Sequence, residues 1–145
     1  MTCRLALLLL VALLALQASP APARTKAADY LIAEQIAAAC DGAAGRMDPS
    51  GVIERDITGD GKLDLILNHR GIACDREGEG IRQSGFCGAQ LCSVLIYVRR
   101  GALLKLEEEI LSGGLALGAG SRPEIHLFGQ GGKPLTLRWN GNGFR

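Results

Sequence analysis

Hydrophobic spacing changes twice along this chain, and each change marks a different kind of segment. Residues 5–16 are continuously apolar, with no polar position to define a face. From residue 26 to residue 40 the apolar positions take a helical spacing: Ala28, Ile32, Ile36 and Cys40 recur every four residues and fall on one stripe. Ala, Leu, Ile, Glu and Gln fill most of this segment, and most of these are good helix formers. Thr25 is placed to cap the helix, Asp29 suits the positive end of its dipole, and Asp41-Gly42 supplies the stop, with Gly42 free to adopt a positive φ.

After Gly51 the period shortens to that of strands broken by glycine. Runs are expected at residues 52–57, 63–69, 91–99, 102–110, 123–128 and 134–139. In the second run Leu63, Leu65 and Leu67 alternate with Asp64, Ile66 and Asn68. The third is apolar on both faces, as a central strand covered on both sides would be. Thr58-Gly59-Asp60-Gly61 and Gly129-Gln130-Gly131-Gly132 read as hairpin turns, and Asn140-Gly141 and Asn142-Gly143 as a last tight turn. Residues 71–85 are polar and glycine-rich and read as a long loop, flanked by Cys74 and Cys87. The expected fold class is α+β: an N-terminal helix packed on a mostly antiparallel meander sheet of about six strands, stapled by disulfides.

The apolar run gives the compartment. Arg4 precedes it, and Ala18-Ser19-Pro20-Ala21-Pro22-Ala23 follows. That is the order of a secretory signal peptide, expected to span residues 1–23 with cleavage before Arg24; a cut after Ala18 is the rival. A membrane-spanning helix needs roughly 20 apolar residues, more than are present. Residues 24–145 are then one small domain in the periplasm or secreted from the cell. Cys3 leaves with the leader, and Cys40, Cys74, Cys87 and Cys92 remain. An even count in an exported domain points to disulfides, with Cys87–Cys92 plus Cys40–Cys74 preferred over Cys74–Cys87 plus Cys40–Cys92. Zinc is disfavoured because no C-x-x-C spacing occurs. Losing Arg4 balances the 16 basic residues of the full chain against its 15 acidic ones, and no long basic run exists. The electrostatic footprint of nucleic-acid binding is missing.

One turn carries candidate chemistry. In Asp56-Ile57-Thr58-Gly59-Asp60-Gly61-Lys62-Leu63-Asp64, oxygen-bearing side chains fall at positions 1, 3, 5 and 9, and Gly61 permits a sharp bend. Calcium takes six to eight oxygens, often from such alternating positions. An EF-hand is not expected, since Leu67 stands where the bidentate glutamate belongs. The segment resembles the D-x-(D/N/T)-G-D-G-x-x-D-(L/I) calcium turn of FG-GAP and VCBS repeats, which joins two β-strands. The resemblance covers residues 53–67 and implies calcium ligation by Asp56, Thr58, Asp60, the Lys62 carbonyl and Asp64. Thr58 departs from it, standing where Asp or Asn is common. The same residues also make a good hairpin turn without a metal. More loosely, the mature chain resembles small uncharacterised exported proteins of Gram-negative bacteria. It shares with them the leader, the Ala-rich helix, the Gly59-Asp60-Gly61 turn and the Cys-Gly-x-x-x-Cys before a strand.

Enzymatic signals are weak. His69 ends the second run and is a candidate general base; His126 alternates with Ile125 and Leu127. No G-x-S-x-G occurs, so Ser84 and Ser112 read as turn residues. Glu77 and Glu79 are paired acids in a charged loop, and Trp139 and Phe144 are expected to anchor the core. The leading functional expectation is a non-catalytic binding or interaction module of the cell envelope, with the 71–85 segment as its probe and an envelope protein or small ligand as partner. One alternative is a small envelope hydrolase using His69 with the hairpin carboxylates. Another is a calcium-stabilised structural domain. Convergence of His69 and those carboxylates in one cleft distinguishes the hydrolase; a protruding stapled segment with no cleft at His69 distinguishes the binding module.

Overall fold

The computed structural model describes residues 23–78 and 80–145. The expected signal peptide therefore lies almost wholly outside the described residues, as does Glu79. Among the described residues, no helix is long and apolar enough to cross a membrane.

Helix α1 spans Lys26–Ala39. The Thr25 hydroxyl accepts the Ala28 N–H and donates to Glu54, which ties the start of the helix to the sheet. The helix ends where Asp41 and Gly42 turn left-handed, at φ 52° and 77°. Among the described residues ten strands follow: β1 Gly45–Met47, β2 Val52–Arg55, β3 Asp64–Asn68, β4 Ile72–Arg76, β5 Gly80–Gln83, β6 Cys92–Arg100, β7 Leu103–Ser112, β8 Leu115–Leu117, β9 Ile125–Phe128 and β10 Pro134–Leu137.

They form three antiparallel sheets rather than the single meander of about six strands that the sequence predicts. The central sheet has the order β2-β3-β6-β7, and β10-β9-β8 and β1-β4-β5 are separate. One face of the central sheet, through Leu65, Leu67, Leu95 and Tyr97, packs on Ala28 and Ile32 of α1. The other face, through Ile66, Val94, Ile96 and Val98, packs on Ile125 and Leu127 of the second sheet and on Phe144. The result is a helix–sheet–sheet sandwich, and β3 and β6 are buried on both faces because they lie between two layers. Leu63 falls outside β3 and is exposed, so the simple alternation expected for residues 63–69 gives way to burial on both sides.

The 71–85 segment also departs from the expected loop. It is a hairpin, β4 paired with β5, and not a long loop. All four residues of β5 are exposed, so the strand has no apolar alternation to reveal it. The hairpin is inserted between β3 and β6, which pair with each other across it. Cys40–Cys74 joins the end of α1 to β4, over a small core of Ala39, Cys40, Ile72 and Cys74. Cys87–Cys92 closes the short turn that enters β6. At the C-terminus Trp139 packs on Phe144, with Phe144 in the core, whereas Phe128 is 42% exposed and lies outside the core cluster.

Candidate functional site

The sequence-derived candidates fall at the two ends of β3. At its start, the β2–β3 connection is the turn that the aspartates and glycines predict. Gly61 takes φ 82°, the left-handed bend for which a glycine suits this position. Asp56 Oδ1 accepts the N–H of Gly59 at 2.6 Å and of Thr58 at 3.2 Å, and Oδ2 accepts Gly61 at 2.8 Å. Asp60 Oδ1 accepts Lys62 N–H at 2.9 Å, and its carboxylate lies 3.9 Å from Lys62 Nζ. Asp64 is fully buried. Its Oδ2 accepts the N–H groups of Ile57 and Thr58, and its Oδ1 accepts Arg99 N–H at 2.8 Å, so one carboxylate joins the turn to β6.

Burial pushes the Asp56 carboxyl up, but the converging N–H groups of Gly61, Gly59, Asp60 and Thr58 outweigh it and hold the group below the usual carboxylate range. The oxygens that Asp56 and Asp64 would bring to a cation are thus already accepting backbone N–H bonds. Among the described residues no group of three His, Cys, Asp or Glu side chains is arranged to hold a metal ion. Asp56, Thr58, Asp60, Lys62 and Asp64 do lie together in this turn, and their observed contacts are those of a self-bonded hairpin.

His69 lies beyond the other end of β3, on the 3-10 turn His69–Gly71. Five steps along an extended strand separate it from Asp64, about 16 Å. The structure therefore does not bring His69 and the hairpin carboxylates into one cleft. Instead His69 Nε2 lies 3.0 Å from Gln35 Oε1 of α1, and Nδ1 lies 2.9 Å from Ser84 Oγ. Gln35 Nε2 donates to the Tyr97 hydroxyl, so its Oε1 is the acceptor for His69 Nε2–H, and Nδ1 takes the Ser84 O–H. Ser84 Oγ in turn accepts Phe86 N–H, and the Phe86 ring meets the imidazole edge-on at 5.0 Å. Burial pushes the His69 pKa below its ordinary value, against a smaller upward pull from the Glu109 carboxylate.

A serine next to a histidine is the beginning of a nucleophilic site. Here, however, His69 and Ser84 are each 1% exposed, and Ser84 Oγ has both a donor and an acceptor. The network supports packing between α1, β3 and the base of the hairpin, with no access for a substrate. His126 is on β9, contacting Thr136 and Glu124, and shares no contact with His69. Ser112 Oγ bonds Gly114 and Phe128 and joins β7 to the second sheet.

The partners of His69 have no signature in the sequence. Gln35, Ser84 and Tyr97 stand at unremarkable positions, and only packing gathers them. One accessible feature is the β4–β5 hairpin. Ile81 is 63% exposed on β5, the outer strand of its sheet, while β4 is fixed by Cys40–Cys74. No protein-family model, curated protein or solved structure matches the chain.

Proposed function

We propose that the mature chain is a non-catalytic binding module of the bacterial cell envelope, and that the β4–β5 hairpin is its recognition element. The observation carrying this reading is the exposed Ile81 on an edge strand whose neighbour is covalently fixed to the end of α1. An edge strand offers unpaired backbone donors and acceptors to an extended partner segment, and a large apolar side chain beside them adds contact area. The disulfide limits the entropy lost on docking by holding the hairpin base in place. Two disulfides are compatible with an oxidising compartment, which agrees with export.

The test is site-specific photocrosslinking in cells, with the photoreactive residue at position 81 and, as control, at position 133 on the β9–β10 turn. A discrete adduct at 81, competed by unlabelled protein and weakened at least about tenfold by Arg82→Glu beside it, is expected. Equal labelling at both positions, or none at 81, would overturn the reading.

A further inference from the structure

A second surface lies apart from the hairpin. Two short 3-10 turns, Pro49–Gly51 and His69–Gly71, approach so closely that neither glycine tolerates a side chain. A Cβ on Gly71 would sit 2.9 Å from Gly51 Cα, and one on Gly51 would sit 3.0 Å from the Asn68 carbonyl. Asp48 N–H donates to the Gly71 carbonyl at 2.8 Å and holds the turns together. Between them is a cleft of about 310 Å³ with Gly51, Gly71 and Ile72 in its floor and Arg46, Asp48 and Arg70 at its rim.

Its donors are incompletely used. Asn68 is only 8% exposed and lines the cleft. Its Oδ1 accepts Arg70 N–H at 3.0 Å, which fixes the orientation of the amide. Its Nδ2 has no hydrogen-bond partner among the described residues. The Arg46 guanidinium makes no hydrogen bond among the described residues and meets Asp48 only through their charges. Arg70 gives one arm, Nη2, to the Gln90 carbonyl at 2.7 Å, and the rest of its fork is available. Asp48 Oδ1 is taken by the N–H and hydroxyl of Ser50.

We propose that this cleft binds a small monocarboxylate through Arg46, Arg70 and Asn68 Nδ2. A guanidinium fork matches the spacing of two carboxylate oxygens, and an inward amide N–H supplies the directional third contact. The charges set the class of anion. Two arginines and one aspartate leave a single net positive charge, which one carboxylate balances. Phosphate carries about −1.5 to −2 at neutral pH and would place its surplus charge beside Asp48.

The test is a heteronuclear NMR titration of the disulfide-intact protein with acetate and, separately, with inorganic phosphate. Acetate is expected to shift the amides of Arg46, Asn68 and Arg70 saturably, in the millimolar range, with phosphate at least about tenfold weaker. Arg46→Gln and Asn68→Asp are each expected to weaken acetate binding about tenfold, while Lys133→Gln, outside the cleft, leaves it unchanged. Arg46 is exposed, so its variant reads binding even if Asn68→Asp alters folding. Absent or non-saturating shifts, phosphate binding as tightly as acetate, or full binding by Arg46→Gln would overturn the assignment.

Discussion

The two ends of β3 are both buried and polar, yet they are held in different ways. At the start, Asp64 binds backbone N–H groups of Ile57, Thr58 and Arg99, whose positions follow from the pairing of β2, β3 and β6. At the far end, His69 binds the side chains of Gln35 and Ser84, which come from α1 and from the base of the β4–β5 hairpin. The first end is fixed by strand register. The second is a joint between elements, and it depends on Cys40–Cys74 holding those elements in place. A charge bonded to three backbone groups is hard to replace, whereas a neutral side-chain network tolerates more change.

Substitutions should separate the two. Asp64→Ala leaves three N–H groups unpaired, two of them buried, and should cost the most, about 5 kcal/mol by chemical denaturation. A cost below that of the His69 variant would break the comparison. Replacing Cys40 and Cys74 by Ser opens a loop closed across 34 residues and should cost about 4 kcal/mol. The same change at Cys87 and Cys92, separated by 5, should cost about 2 kcal/mol. The larger loss should also raise hydrogen exchange at Gln35 and Ser84 while leaving the Asp64 end protected. His69→Ala should cost about 3 kcal/mol, from lost packing and an unpaired Ser84 and Gln35.

The pH response sharpens the contrast further. Because burial holds the folded His69 pKa below that of the unfolded chain, the unfolded form binds more protons as the medium is acidified. Stability from this residue is complete above about pH 6.5 and declines as pH falls from there through the folded pKa. His69→Gln should flatten the melting profile in that window. Asp56, held low by its N–H donors, contributes above its unfolded pKa and is lost only at more acid pH, as its folded pKa is passed. Millimolar calcium should have the smallest effect, below about 1 kcal/mol, because the oxygens of Asp56 and Asp64 are engaged by backbone. A larger rise in melting temperature would show that a cation organises the turn.

Much of the secondary structure was legible in the residues. The four-residue apolar stripe, the Thr25 cap and Asp41-Gly42 mark α1 within a residue of its observed ends. The continuous apolar run of β6 marks a strand covered on both faces, and Thr58-Gly59-Asp60-Gly61 marks the β2–β3 turn. The strands β1, β4, β5 and β8 were not legible, β4 because it falls in the glycine-rich segment read as a loop. β1 and β8 are three residues each, and β5 is exposed throughout, so none buries enough side chain to impose a period. Ser84 shows the same limit at the site. Nothing at its position distinguishes a turn serine from the partner of a buried histidine.

Residue chemistry over short distances, then, determined the helix, the central strands, the tight turns and the presence of cysteines suited to bridging. Tertiary structure alone decided that the strands divide among three sheets, that β3 pairs with β6 across an intervening hairpin, and that His69 and Asp64 stay apart. Local preference acts through neighbouring residues along the chain. Sheet partners and buried polar networks are selected by which distant surfaces can be removed from water together, and no short stretch of sequence carries that information.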